Sequence, residues 1–133
     1  MRIFKNQINI LVVDDSEASA MLMQSIFEES EMFKISIAKS VIIARTLLKK
    51  QSFELILLDL MLPKVDGFTF LKELKNNELY KNIPVVIVSA LTAPDAIKKC
   101  KDLGAKAFIS KPIGENKLLE KIIQILKDFY NFA

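Results

Sequence analysis

Five short segments rich in apolar residues recur along the chain and predict β-strands. Three of them are almost continuous apolar runs, which is typical of strands buried on both faces of a sheet; they lie at 8–13, 54–59 and 85–88. The segment 33–38 alternates instead, which predicts a half-buried strand at a sheet edge. The last strand is predicted at 106–110, where Pro112 prevents its continuation.

Apolar residues at helical spacing follow each of these strands. In the first helix, over about 16–30, the residues expected to face the core are Ala18, Met21, Leu22, Ser25 and Ile26. Four further helices are predicted: one capped by Ser40, one from the end of the loop at 60–66 to about Lys75, one over 95–103, and one along an apolar stripe from Leu118 to Phe129. Strand and helix thus alternate five times, which predicts an α/β fold with helices on both faces of a parallel sheet. We expect one domain over residues 1–133, with its core at about 8–129.

Polar side chains stand where the predicted strands end: Asp14 and Asp15, Asp59, Ser89 and Lys111. Taken singly, each has a plain structural explanation, such as a helix cap, a hydroxyl bonded to backbone or a solvated lysine. The carboxyl ends of parallel strands share one edge of a sheet, where such folds bind ligands. We therefore expect these side chains to form one site, organised around Asp59.

Composition narrows the classes of function. A hydrophobic content of 51% and a charged content of 26% are those of a globular protein. The net charge of +3 does not call for nucleic acid as a partner. A single cysteine, Cys100, excludes an internal disulfide and fits the reducing cytoplasm. The absence of histidine excludes histidine catalysis and ligation, and no run approaches the roughly 20 apolar residues of a membrane span.

The polar motifs together resemble a known family. They are Asp-Asp at 14–15, Asp-x-x-x-Pro-x-x-Asp-Gly at 59–67, Ser-Ala at 89–90 and Lys-Pro at 111–112. In this order and at these spacings they resemble the receiver domain of response regulators in two-component signal transduction. The resemblance covers about 8–129 and implies the flavodoxin-like doubly wound (βα)5 fold, with strand order 2-1-3-4-5.

The residues also indicate the chemistry of the site. Three clustered carboxylates suit a hard divalent cation such as Mg²⁺, Asp59 can act as an oxygen nucleophile on phosphorus, and Lys111 supplies positive charge for phosphoryl oxygens. The resemblance makes Asp59 the phosphoacceptor and Asp15 a direct Mg²⁺ ligand. It makes Asp14 a second acidic residue of the metal site, often acting through water, and it makes the backbone carbonyl of Met61 a further metal ligand.

The resemblance also implies a switch. Ser89 matches the hydroxyl that moves to the phosphoryl group, and Phe108 matches the aromatic residue that swings into the vacated space. Lys111–Pro112 matches a peptide that is usually cis. The surface that reports the change would consist of the fourth helix, the fifth strand and the fifth helix. Because neither Met61 nor Leu91 can orient an attacking water by its side chain, we expect a long-lived phosphate.

The implied partners are a histidine kinase or a histidine phosphotransfer protein and a downstream protein target, without direct contact to nucleic acid or membrane. The chain would be a stand-alone cytoplasmic phosphoprotein that catalyses only its own phosphorylation and dephosphorylation, and not a turnover enzyme. A phosphorylation-independent pseudo-receiver is the alternative. A haloacid-dehalogenase phosphohydrolase is disfavoured because Met61 stands where that family places a second Asp. A flavodoxin-like nucleotide-binding protein is disfavoured because no Gly-rich loop follows the first strand.

Overall fold

The computed structural model describes residues 7–130, apart from the side chains of Glu115 and Asn116. Five strands alternate with five helices in this part of the chain, as predicted. The strands are β1 (Ile8–Val13), β2 (Phe33–Ala38), β3 (Leu55–Leu58), β4 (Val85–Ser89) and β5 (Ala107–Ser110). The helices are α1 (Glu17–Glu28), α2 (Val41–Lys50), α3 (Gly67–Lys75), α4 (Pro94–Asp102) and α5 (Glu115–Tyr130).

All the strands are parallel and lie in the order β2-β1-β3-β4-β5, which confirms the predicted fold and strand order. Their register aligns the C-terminal ends, because Val13 at the end of β1 pairs with both Ala38 of β2 and Leu58 of β3. At the other side of the sheet Ser89 of β4 pairs with Ser110 of β5. The polar residues that follow these strands therefore emerge along one edge.

The sheet separates two hydrophobic clusters, which makes this a three-layer structure. One cluster packs α2, α3 and α4 on the sheet and is centred on Phe70 and Leu71. The other packs α1 and α5 on the opposite face around Phe27 and Ile122. Strands β1, β3 and β4 supply alternate residues to both clusters, which explains why their sequences are almost continuously apolar.

The predicted core face of α1 is only partly correct, because Ile26 is buried and Leu22 packs against the core, whereas the other three residues are not buried. Met21 is 61% exposed, and Ala18 and Ser25 are exposed as well. The residues that α1 buries are Ala20, Met23, Ile26 and Phe27. This orientation removes the large Phe27 ring from water. The ring packs edge-on against Phe33, with ring centroids 5.1 Å apart. Near the end of α5, similarly, Ile125 is buried, whereas Phe129 is 40% exposed.

The helix termini follow the capping residues in the sequence. Ser16 and Ser40 accept hydrogen bonds from backbone N–H groups in the first turns of α1 and α2, and Pro94 opens α4. Gly104 follows α4 with a φ of 102°, a conformation that L side chains rarely adopt. Among the described helices, none is long and apolar enough to cross a membrane.

Candidate functional site

Two buried carboxylates lie side by side at the edge formed by the strand ends. Asp14 follows β1 and is 1% exposed, and Asp59 follows β3 and is 6% exposed. The backbone continues the ladder there, since the N–H of Asp59 donates to the carbonyl of Val13 at 2.9 Å. Two carboxylates buried this closely repel each other and need a positive charge nearby.

Lys111 supplies that charge. Its Nζ donates to Asp14 Oδ2 and to Asp59 Oδ2, each at 2.9 Å, so these two oxygens lie at most twice that distance apart. Burial by itself would lower the pKa of Lys111. The hydrogen bonds and charges of Asp14 and Asp59 outweigh that effect and raise the pKa above its ordinary value. The side chain is therefore a permanent ammonium ion between the two acids at neutral pH.

The other oxygen of each carboxylate is held by backbone. Asp14 Oδ1 accepts from the N–H of Ser16 at 2.9 Å, and Asp59 Oδ1 accepts from the N–H of Met61 at 3.1 Å. Each carboxylate is thus oriented from two sides, by a loop amide and by the ammonium of Lys111. The sequence did not reveal these two amides, because a backbone donor carries no sequence signal.

The loop between β3 and α3 closes tightly beneath Asp59. The N–H of Gly67 donates to the carbonyl of Leu60 at 2.9 Å, and Asp66 caps α3 by accepting from the N–H of Thr69. A Cβ at Gly67 would lie 2.5 Å from the backbone oxygen of Asp59 and from Leu60 Cα. In the sequence, Asp66-Gly67 stands out as the end of the motif at 59–67, whereas the structure requires glycine at position 67 because the two backbone segments approach so closely.

The residues predicted to bind metal are only partly gathered. Asp14 and Asp59 converge on Lys111, whereas Asp15 is exposed. Met61 is predicted to contribute its backbone carbonyl, and the residue itself is 60% exposed. Within residues 7–130, no three acidic, histidine or cysteine side chains are grouped for a metal ion. The donor set still fits Mg²⁺ in its chemistry, because carboxylate oxygens are the ligands that this ion prefers. In this structure the negative charge of Asp14 and Asp59 is balanced by the ammonium of Lys111.

The two predicted switch residues lie on neighbouring strands. Ser89 ends β4, is fully buried, and its Oγ accepts from the N–H of Leu91 at 3.3 Å. Its carbonyl accepts from the N–H of Lys111 at 3.0 Å, which connects the end of β4 to the lysine of the site. Phe108 of β5 is half-buried against the cluster that contains α4. The Lys111–Pro112 peptide is cis, as the resemblance implies.

Comparison with known proteins decides the family. A family model described as the response regulator receiver domain matches residues 10–123. The chain belongs to this family. It is 32% identical over 120 residues to the polar-differentiation response regulator DivK of Brucella ovis, and the match covers 90% of this chain and 97% of DivK.

Solved structures of receiver domains share the fold. A CheY-like receiver domain protein from Methanospirillum hungatei JF-1 has a TM-score of 0.86 and 26% identity, covering 95% of this chain and 98% of that one. The Mn²⁺-bound form of response regulator Rcp1 has a TM-score of 0.75 and 31% identity, covering 92% of this chain and 94% of that one.

Other relatives are much longer than this chain. The sensory/regulatory protein RpfC of Xanthomonas campestris is 31% identical over 120 residues, a match that covers 87% of this chain and 16% of RpfC. Membership in the receiver family makes the chain a component of two-component signalling, in which the receiver is typically a phosphoacceptor rather than a conventional enzyme. The roles of the individual residues go beyond this and are proposals.

Proposed function

We propose that this receiver domain is a phosphorylation-dependent switch whose Asp59 accepts a phosphoryl group from a phosphohistidine on a histidine kinase or a histidine phosphotransfer protein. The observation that carries the proposal is the bridge from Lys111 Nζ to Asp14 and Asp59, at 2.9 Å each. A fixed ammonium beside a carboxylate, at the edge of the sheet where such folds bind ligands, supports Asp59 as the nucleophile.

The transfer needs little from the protein beyond position and charge. An oxygen of Asp59 attacks phosphorus, the P–N bond of the phosphohistidine breaks, and its electron pair returns to the imidazole nitrogen. The product is an acyl phosphate on Asp59. Lys111 lies within hydrogen-bond distance of the attacking carboxylate, so a small movement of its ammonium reaches an oxygen of the arriving phosphoryl group.

We assign Mg²⁺ to the same site. Asp14, Asp15 and Asp59, with the backbone carbonyl of Met61, would hold it. When bound, the ion would offset the negative charge of the phosphoryl oxygens, which the carboxylates otherwise repel. The Mn²⁺-bound structure of the related Rcp1 supports a divalent ion in this family.

The switch follows from contacts that exist only when the phosphoryl group is present. Ser89 would leave its bond with the Leu91 amide for a phosphoryl oxygen, and Phe108 would move inward. A ligand shifts an equilibrium between two conformations only by binding one of them better, and these contacts would supply that difference. The change would be read by a downstream protein on the face formed by α4, β5 and α5. The chain would catalyse only its own phosphorylation and dephosphorylation.

The test is intact mass after incubation with acetyl phosphate, with Mg²⁺ or with a chelator. We expect one added phosphoryl group on the wild type with Mg²⁺ only, and none on Asp59→Asn. Asp66→Asn is the matched control, because it lies in the same loop and asparagine also caps helices well. It should be modified like the wild type. If folded wild type gains no phosphoryl group under any condition, the proposal is wrong and the pseudo-receiver takes its place.

A further inference from the structure

Strand β5 ends the sheet and has a free side. The N–H of Lys111 donates to the carbonyl of Ser89, and Ser89 pairs with Ser110. Because backbone groups alternate in direction along a strand, this register points the N–H and carbonyl groups of Phe108 and Ser110 away from β4, toward the free side. At the opposite edge, the side chains of Gln7 and Gln51 contact β2.

Grooves run along both sides of β5. The one toward α5 has a volume of about 640 Å³ and includes Ser110, Lys117 and Lys121 in its lining. The one toward α4 has a volume of about 200 Å³ and is lined mainly by apolar residues, flanked by two lysines. A strand added at this edge would direct alternate side chains to opposite faces of the sheet, and so into the two grooves.

The charge around β5 is positive on both sides. Lys101 and Lys106 line the groove toward α4, and Lys117 and Lys121 line the groove toward α5. Within the described part of the chain, none of these four lysines has a carboxylate at ion-pair distance. Residues 94–133 contain eight lysines and five acidic residues, whereas residues 1–93 contain eleven basic and eleven acidic ones. The whole net charge of +3 therefore belongs to this end of the protein.

We infer that the free edge of β5 binds an extended acidic segment of a partner protein by strand addition. Backbone hydrogen bonds to Phe108 and Ser110 would hold the segment. Because lysines line both grooves, the carboxylates of the segment would meet positive charge in whichever groove they enter. A second copy of this chain is a poor occupant, because its own β5 is equally basic and lysines at an edge oppose pairing of like edges. The partner would be the downstream protein that reads the face formed by α4, β5 and α5, and only this identification rests on the proposed function.

The probe is a fluorescein-labelled heptapeptide of alternating glutamate and valine, with a lysine–valine heptapeptide as its charge control. Binding is followed by fluorescence anisotropy, and amide hydrogen exchange is followed by NMR. We expect the acidic peptide to bind at least about tenfold more tightly than the basic one. We also expect it to slow exchange at the N–H groups of Phe108 and Ser110. The inference is overturned if the acidic peptide does not bind or leaves both amides unprotected.

Two further comparisons separate strand addition from simple charge attraction. In an added strand, the N–H groups of alternate residues face β5 and the others face away from it. N-methylation of the peptide at its valines removes one of these two sets, and N-methylation at its glutamates removes the other. We expect one of these peptides to lose about tenfold in affinity; equal binding by both would mean electrostatic adsorption only and would refute strand addition. Lys101→Glu/Lys117→Glu, with one change in each groove, should weaken binding about tenfold, whereas Lys49→Glu/Lys50→Glu on α2 should not.

The phosphorylation assay is run on the same preparations. A protein that accepts the phosphoryl group but fails these binding tests overturns strand addition and leaves the proposed function intact. A protein that binds the acidic peptide but accepts no phosphoryl group overturns the proposed function and leaves the β5 site standing.

Discussion

Replacing Gly67 by alanine tests whether the close approach of two backbone segments sets the geometry of Asp59. The added Cβ would lie 2.5 Å from the backbone oxygen of Asp59 and from Leu60 Cα. Ordinary contacts of such carbon atoms lie at about 3.5–4.0 Å. Since both neighbours belong to the backbone, they cannot rotate away as a side chain could, and either the start of α3 or the end of β3 must move.

The expected magnitude is the difference between two terms. Overpacking at a well-packed position costs about 1–3 kcal/mol, whereas replacing glycine by alanine at an unstrained helical position gains about 0.4–1 kcal/mol. The overlap is with backbone, so we expect the first term to dominate. Gly67→Ala should lower the free energy of unfolding by roughly 1–2 kcal/mol. It should also slow modification by acetyl phosphate, because the displaced Asp59 loses its alignment with the Met61 amide.

Urea unfolding and the rate of phosphoryl incorporation are measured on the same variant. Gly114→Ala is the matched control, since the nearest described atoms to its Cβ would be those of the Lys117 side chain, at 3.7 Å or more. Because glycine is somewhat better than alanine just before a helix, this control should cost less than about 1 kcal/mol and leave the rate unchanged. A Gly67→Ala protein that is as stable as the wild type and is phosphorylated as fast would refute the reasoning.

Three further predictions concern the site and the core. Lys111→Met leaves Asp14 and Asp59 buried without a cation and should cost about 2–4 kcal/mol in urea unfolding without Mg²⁺, somewhat less than for a fully buried pair because 17% of the lysine side chain is exposed. Because folding raises the pKa of Lys111, the stabilisation that its charge provides is complete below about pH 10.5 and is lost as the pH rises through the raised pKa. The stability difference between the wild type and Lys111→Met should therefore shrink only at strongly alkaline pH. A loss of that difference near pH 7 would contradict the assignment. Phe70→Ala opens a cavity in the cluster beneath α3 and should cost about 3–5 kcal/mol; a cost under about 1 kcal/mol would mean that the ring is not core. Phosphorylated protein should keep its phosphate far longer than seconds without a phosphatase, and Met61→Asn should shorten that lifetime by orienting water; equal lifetimes by mass spectrometry would contradict this.

The secondary structure and the outline of the site could be predicted because their signals are local. A continuously apolar run such as Leu55–Leu58 predicts a strand buried on both faces, and five strands followed by helices lead to a parallel sheet. A parallel sheet gathers the residues that follow its strands at one edge, so Asp14 and Asp59 could be assigned to that edge from the sequence. The strand order and the cis Lys111–Pro112 peptide came from the resemblance to receivers, and the structure agrees with both.

The orientation of α1 could not be predicted in the same way. Two overlapping apolar stripes run along this helix, and the sequence favours neither by spacing alone. The sheet and α5 already provide a surface that accepts Met23 and Phe27, and burying these large side chains removes more apolar area from water than burying Ala18 and Ser25 would. Met21 is left exposed for that reason.

The sequence by itself determined which elements form, that their polar ends meet at one edge, and which charged residues are available there. Only the tertiary structure decided how those charges pair. Lys111 is 97 residues from Asp14 and 52 from Asp59 along the chain, and it reaches both because strand register places three separate strand ends within one side-chain length. Asp15 is left exposed, and the closing of the loop between β3 and α3 brings Gly67 against the backbone of Asp59. Distances of this kind depend on how strands align across the sheet, and that alignment is reached only when the buried faces of all the strands pack together.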